Sequence, residues 1–242
     1  MEADVGVGIA PLPAAQVEQI LSSHRSFLRF KRIFDVYNSL VQLVLFSPLF
    51  LVFALAIKLY DRGPVLFSQE RLTKGRTGPR IFRILKFRTM VVGAEKLGAQ
   101  ITERRDPRIT PVGRVLRSLK LDELPQLLNI LRGEMSFVGP RPQTLGYVEA
   151  FKGHYSQIHS VVPAGLTDLA SLKYREEGRM LSEADDPERY YLEKIMPDKI
   201  RCHYLYLERM NLATDLGILM HTILRVFVVK PFSRLARRSN RG

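Results

Sequence analysis

The chain has 242 residues, with 37 Lys and Arg against 24 Asp and Glu, a formal charge of +13 and 46% hydrophobic residues. It is too apolar to be disordered, and its length suits one domain, or two small ones, with a real core. The charge calls for anionic partners: nucleic acid, a lipid surface or phosphorylated small molecules. The single cysteine, Cys202, excludes an intrachain disulfide framework and any multi-cysteine metal site, and so fits a reducing, cytoplasm-facing location.

Residues 1–24 contain GVGIAPLPAAQ and a short helical pattern, and read as a flexible extension. A basic cluster of Arg25, Arg29, Lys31 and Arg32 then leads into the uncharged run from Ser39 to Ile57. As a straight helix that run would reach roughly 28 Å, against a hydrocarbon core of about 30 Å. Being apolar on every side, it suits lipid better than a half-exposed place in a small domain; a buried core helix is the alternative. The charged residues ahead of it disfavour a cleaved signal. Lys58, Arg62, Arg71, Lys74, Arg76, Arg80 and Arg83 follow it, so the excess of basic residues on both flanks favours the cytoplasmic side for both ends. Pro48, after Ser47, removes a hydrogen bond at the centre and bends the helix. A re-entrant helix-break-helix accounts for both flanks and for the proline together. A straight span accounts for neither, although membrane helices tolerate proline.

Next, VLFSQERL and RIFRILKF, separated by TKGRTGP, predict a strongly basic hairpin. GAEKLGAQITERRD predicts a polar helix. In PVGRVLRSLKLDELPQLLNILRG, Val115, Leu116, Leu119, Leu124, Leu127, Leu128 and Leu131 recur at helical spacing, and Pro125 starts a new helix or kinks this one. A short apolar SFVG and Pro140-Arg141-Pro142 follow, then helical segments from Thr144 to His159 and from Pro187 to Met210. A second apolar run, Asp215 to Val229, is interrupted by His221 and Arg225, which favours an interfacial or packed helix over a span. Arg234, Arg237, Arg238 and Arg241 form a terminal cluster suited to lipid phosphates, or simply to solvent.

Asp122 and Glu123 are an adjacent acidic pair among Arg114, Arg117, Lys120, Arg132 and Arg141. Neighbours on a helix diverge by about 100°, so the two carboxylates suit different tasks, such as nucleophile and metal ligand. Arginines bind phosphate bidentately, Mg²⁺ takes carboxylate and phosphate oxygens, and a carboxylate near arginines stays ionised; the pattern suits phosphoryl chemistry. Taken alone, the pair also reads as a surface salt-bridge cluster. His154, His159 and His221 match no metal-ligand spacing.

The string LDELPQLLNILRGEMSFVGPRP, Leu121 to Pro142, resembles the core motif of the bacterial monotopic phosphoglycosyl transferases, the bacterial sugar transferase family. Lys31-Arg32-Ile33-Phe34-Asp35, Ser47-Pro48, Lys86-Phe87-Arg88-Thr89-Met90, Arg117-Ser118 and Asp215-Leu216 extend the resemblance in the right order. It implies a mostly α, α+β fold with a re-entrant membrane helix, interfacial helices and a small hairpin around one catalytic core. The activity implied is transfer of a phospho-sugar from a nucleotide diphosphate sugar to undecaprenyl phosphate, with Mg²⁺, through a covalent phosphosugar-aspartyl intermediate. By the same resemblance Asp122 is the nucleophile, Glu123 the metal ligand, and Arg88, Arg117, Arg141 and Arg175 hold phosphates. The implied location is the cytoplasmic face of the bacterial inner membrane, against anionic lipids, with a homo-oligomer left open. The corresponding divisions are 1–24, extension; 25–60, membrane anchor; 61–230, catalytic domain; and 231–242, basic tail.

The pattern departs after Val161. Where many members carry Pro-Gly-Ile-Thr-Gly-Trp and then Gly-Arg, this chain reads Ala164-Gly165-Leu166-Thr167-Asp168-Leu169 and then Lys173-Tyr174-Arg175. A common Asp before the tyrosine-rich helix is here His203, read as structural. These changes bear on the donor pocket and on Arg175. A basic nucleic-acid-binding membrane protein is the first rival, but no nucleic-acid motif is present and it leaves the acidic pair unexplained. A non-catalytic family relative is the second, although both acidic residues are retained. A glycosidase needs carboxylates that flank a sugar rather than adjoin in sequence.

Overall fold

The computed structural model describes residues 10–94 and 106–224. The polar helix expected over GAEKLGAQITERRD falls almost wholly outside them, as do the end of the second apolar run and the terminal arginine cluster.

Helix α1 (Ala14–Ser23) leads into α2 (Arg25–Leu45), and after a break at Phe46 the chain continues as α3 (Ser47–Asp61), bent by 61° from α2. Pro48 lies in the first turn of α3, where its missing N–H interrupts no ladder, and Ser47 Oγ bonds the Val44 carbonyl at 2.8 Å across the break. The predicted hairpin follows as β1 (Leu66–Lys74) and β2 (Pro79–Phe87), antiparallel with Leu66 opposite Phe87 and Lys74 opposite Pro79.

Beyond it, α4 (Pro111–Leu119), α5 (Gln126–Arg132) and β3 (Met135–Val138) lead to α6 (Leu145–Ala150) and α7 (Lys152–Val161). Strand β4 (Ala164–Thr167) returns parallel to β3. The remaining α-helices are α8 (Leu169–Lys173), α9 (Glu177–Ser182), α10 (Pro187–Tyr190), α11 (Met196–Arg209) and α12 (Leu212–Ile223), with a π-helical turn over Tyr191–Ile195 joining α10 to α11. The architecture is mostly helical with a small antiparallel hairpin, as expected, plus a short parallel pair that sequence reading misses. Strands β3 and β4 approach as bare backbone at one point: a Cβ on Gly165 would lie 2.0 Å from the Gly139 carbonyl oxygen.

The main core gathers Leu127, Ile130, Met135, Tyr155, Ile158, Ile195, Ile200 and Tyr206 from the central elements, with Phe82 and Ile84 from the hairpin. Helix α1 belongs to it. In place of a flexible extension up to residue 24, Ile20 is buried and Leu12 exchanges two hydrogen bonds with Gln157 of α7, at 2.8 and 2.7 Å. A helix this short gains its stability from such docking, which local composition does not display.

Helix α2 is inverted. Lys31, Asp35 and Ser39, four residues apart along one face, are buried, whereas Phe30, Ile33, Tyr37, Leu40, Val41 and Val44 are exposed. Lys31 pairs with Asp215 of α12, and Asp35 accepts the Phe137 N–H of β3 at 3.1 Å. Arg32 donates to the Ile130 and Leu131 carbonyls at 2.6 and 2.8 Å, capping the end of α5. Helix α3 buries only Ile57 and leaves Leu51, Val52, Leu55 and Leu59 exposed, which overturns the core-helix alternative for this run. No single helix among the described residues is long and apolar enough to cross a membrane; the bent pair α2–α3 passes that test only together.

Lys31→Met is expected to lower stability by about 3–5 kcal/mol because it strands Asp215 in the core. Adding Asp215→Leu should recover most of that loss, as read by denaturant unfolding of the two variants.

Candidate active site

The acidic pair sits between α4 and α5, off any continuous helix. Lys120, at φ 60°, ends α4 in the left-handed region; the chain then makes a 3₁₀ turn over Leu121–Glu123, and Pro125 precedes the first residue of α5. Side chains on such a turn diverge by about 120°, so Asp122 and Glu123 face different surroundings.

Glu123 is clamped between two cations. Arg141 Nη2 and Lys86 Nζ, the latter at 3.0 Å, both donate to its Oε1. Burial alone would raise the Glu123 carboxyl, but Arg141, Lys86 and Lys120 outweigh it and hold it well below the usual range. The Lys86 amine is pulled down by burial, against the pull of Glu123.

Asp122 is 8% exposed, and its Oδ1 is buried with no hydrogen-bond partner among the described residues. Burial, and then the charge of Glu123, push its carboxyl upward, opposed by Lys86, Lys120 and Arg117. One carboxylate is therefore committed as the anion of a clamp. The other is more basic and keeps an unengaged oxygen.

Arg117, in the last turn of α4, donates Nε to Thr89 Oγ1 at 2.8 Å and is close enough to Asp122 for their charges to interact. Arg141 lies just beyond β3 and also donates Nη1 to the Leu166 carbonyl at 2.8 Å. Arg88 is engaged elsewhere: both of its terminal nitrogens bond Asp61 at the end of α3, tying that helix to the exit of β2. Arg175 is exposed beyond α8.

Of the residues expected from sequence, the structure brings together Asp122, Glu123, Arg117 and Arg141. It adds Lys86, for which a signal was present: Phe82, Ile84 and Lys86 share one face of β2, so strand alternation puts a lysine on the buried side. It also adds Asp168, which accepts the Arg141 N–H at 3.0 Å.

Among the described residues no group of three or more His, Cys, Asp or Glu is gathered for a metal ion. The pair nonetheless offers hard oxygens. Asp122 Oδ1 lacks a partner, and both cations at Glu123 bond Oε1 rather than Oε2. That donor set fits Mg²⁺, which commonly takes one or two carboxylates and completes its shell with water and phosphate oxygens.

Two inequivalent carboxylates ringed by Arg141, Arg117 and Lys86 make a site suited to phosphoryl groups. Residues 26–229 match the bacterial sugar transferase family, and the chain belongs to it. It is 38% identical over 196 residues to a UDP-N-acetylgalactosamine-undecaprenyl-phosphate N-acetylgalactosaminephosphotransferase of Aeromonas hydrophila, covering 80% of this chain and 42% of that protein. It is equally 38% identical over 196 residues to a UDP-glucose:undecaprenyl-phosphate glucose-1-phosphate transferase of Caulobacter vibrioides, covering 80% of this chain and 68% of that protein. A protein of the latter name in Escherichia coli is 34% identical over 233 residues, 93% of this chain and 45% of that one. The chain thus spans less than half the length of two of these three relatives.

The two carboxylates should differ in their effect on stability. Glu123→Gln leaves Arg141 and Lys86 buried without their anion and is expected to cost about 3–5 kcal/mol. Asp122→Asn removes a charge that burial and Glu123 both disfavour, and should leave the melting temperature unchanged or raised.

Proposed function

We propose that the chain transfers a phospho-sugar from a nucleotide diphosphate sugar, of the UDP-sugar class, to undecaprenyl phosphate, initiating a glycan on a lipid carrier. The reading is carried by one observation: a buried Asp122 with an unengaged oxygen beside a Glu123 clamped by Arg141 and Lys86, in a chain of this family. The names of the relatives support the substrate classes.

In the first step an Asp122 carboxylate oxygen attacks the sugar-bearing phosphorus. An oxygen–phosphorus bond forms, the bridging bond of the diphosphate breaks, and its electron pair leaves on the nucleoside monophosphate. In the second, an oxygen of undecaprenyl phosphate attacks the same phosphorus. The bond to Asp122 breaks, and the carboxylate is restored without net proton change. The raised basicity of Asp122 favours attack, and its burial keeps water from competing with the lipid acceptor. Arg141 and Arg117 hold phosphate oxygens, and Lys86 keeps Glu123 ionised. Arg88 acts through Asp61 on the frame of the site. Glu123 would hold Mg²⁺, which when bound neutralises diphosphate charge.

The same proposal places α2 and α3 in the cytoplasmic leaflet of a bacterial inner membrane as a re-entrant pair, anchoring the catalytic residues that follow. The 61° bend, the exposed leucines and valines of both helices and the basic flanks support this. It puts the acidic pair near the headgroups, where a water-soluble donor and a lipid phosphate can meet.

Protein held in nanodiscs with Mg²⁺ and a panel of UDP-sugars, without lipid acceptor, is expected to gain the mass of one phosphosugar and to lose it on adding undecaprenyl phosphate. Asp122→Asn should abolish the adduct while the protein stays folded and membrane-bound; an adduct that persists in this variant would remove Asp122 from the nucleophile's role.

A further inference from the structure

Two departures from the family pattern, Asp168 and His203, lie 35 residues apart in sequence and meet in the core. His203 Nε2 stands 2.8 Å from Asp168 Oδ2, and both side chains are 1% exposed. The same Oδ2 accepts the Arg141 N–H at 3.0 Å, while Oδ1 accepts the Ser171 N–H at 2.6 Å and caps α8. A carboxylate can only accept, so His203 carries a proton on Nε2. Its Nδ1 is buried without a partner among the described residues, so the ring is held by the bond to Asp168 and by edge-on packing against Tyr155. Burial opposes the charge of Asp168, but His203, Ser171 and Arg141 outweigh it and hold the carboxyl far below the usual range.

The contact with Arg141 falls at a place with no substitute. Pro140 and Pro142 have no N–H, so the Arg141 amide is the one main-chain donor in that tripeptide, and Asp168 takes it. Arg141 is then held at separate points: its amide by Asp168, Nη1 by the Leu166 carbonyl, and Nη2 by Glu123. Asp168 lies just after β4 and His203 on α11, so their contact joins these two elements at the place where Arg141 is held.

We propose that Asp168 and His203 form a positioning pair that seats the Arg141 guanidinium against Glu123. The inference rests on the site being the phosphoryl-transfer centre described above. Neither residue touches the reacting atoms; both act through the main chain of Arg141.

A double-mutant cycle tests it. Donor turnover is followed with UDP-glucose and UDP-N-acetylgalactosamine in nanodiscs. Asp168→Asn keeps the shape but weakens the acceptor, and should lower kcat/KM by about tenfold in otherwise wild-type protein. On an Arg141→Ala background the same change should have less than about a twofold effect. Equal losses on both backgrounds would mean that Asp168 acts by another route, and would overturn the proposal. If Asp168→Asn does not fold, His203→Leu, which removes the donor toward Asp168, goes through the same cycle with the same criteria.

A second readout does not depend on turnover. The ¹⁵N–¹H guanidinium signals of Arg141 should show hindered rotation in the wild type and in Asp122→Asn, and should average in Asp168→Asn or His203→Leu. Hindered signals that survive in those last two variants would refute positioning. Absent turnover with every donor, together with this loss of hindrance, would instead sink the transferase reading and leave positioning standing.

Discussion

The inward polar stripe of α2 sets the geometry on which everything else relies. Lys31, Asp35 and Ser39 face the core, and buried polar groups must find partners, so the helix can sit in one place only. Lys31 fixes it to α12, Asp35 to β3, and Arg32 to the last carbonyls of α5. Strand β3 leads directly to Arg141, and α5 begins beside the acidic turn. The helix that turns its apolar face outward is therefore pinned to the elements that carry the site. A shift of α2 along its axis would break a buried ion pair before it moved the acidic turn, which makes α2 and the site a single mechanical unit.

At the site, adjacent residues with the same functional group are driven apart by their surroundings. Glu123 has two direct cationic partners on one oxygen; Asp122 has burial and a like charge beside it. The 3₁₀ turn makes this division by aiming the two side chains differently. The positive φ at Lys120 ends α4 and separates the turn that carries the pair from the helix before it.

Much of this was legible in the chain. The hairpin announced itself by two β-rich runs and a Gly-containing turn, and the bend by Pro48 between two basic flanks. The acidic pair stood out by its arginine surroundings. What sequence reading missed depends on contacts far apart in the chain. Strands β3 and β4 are four residues each, too short to show a period, and they pair across two intervening helices. Arg88 matched a site motif, but its partner Asp61 lies at the end of α3, beyond the apolar run, and only the fold brings them together. His203 read as structural because nothing local pointed to Asp168. Lys86 could have been found by strand alternation alone. The docking of α1 on α7 could not, since its short helical pattern carries no sign of the partner.

The bare contact between Gly139 and Gly165 has a consequence for variation in this protein. Arg141 follows Gly139 by two residues, and the Leu166 carbonyl that it bonds adjoins Gly165, so the seat of the cation is built from main chain on both sides. Main-chain hydrogen bonds reinforce it, from the Gly139 N–H to the Thr167 carbonyl and from the Gly165 N–H to the Pro140 carbonyl, at 3.0 and 2.9 Å. Substitution can therefore adjust this part of the site only by clashing with it. Variation has to be absorbed elsewhere, because any side chain at Gly165 would meet the Gly139 carbonyl oxygen at 2.0 Å.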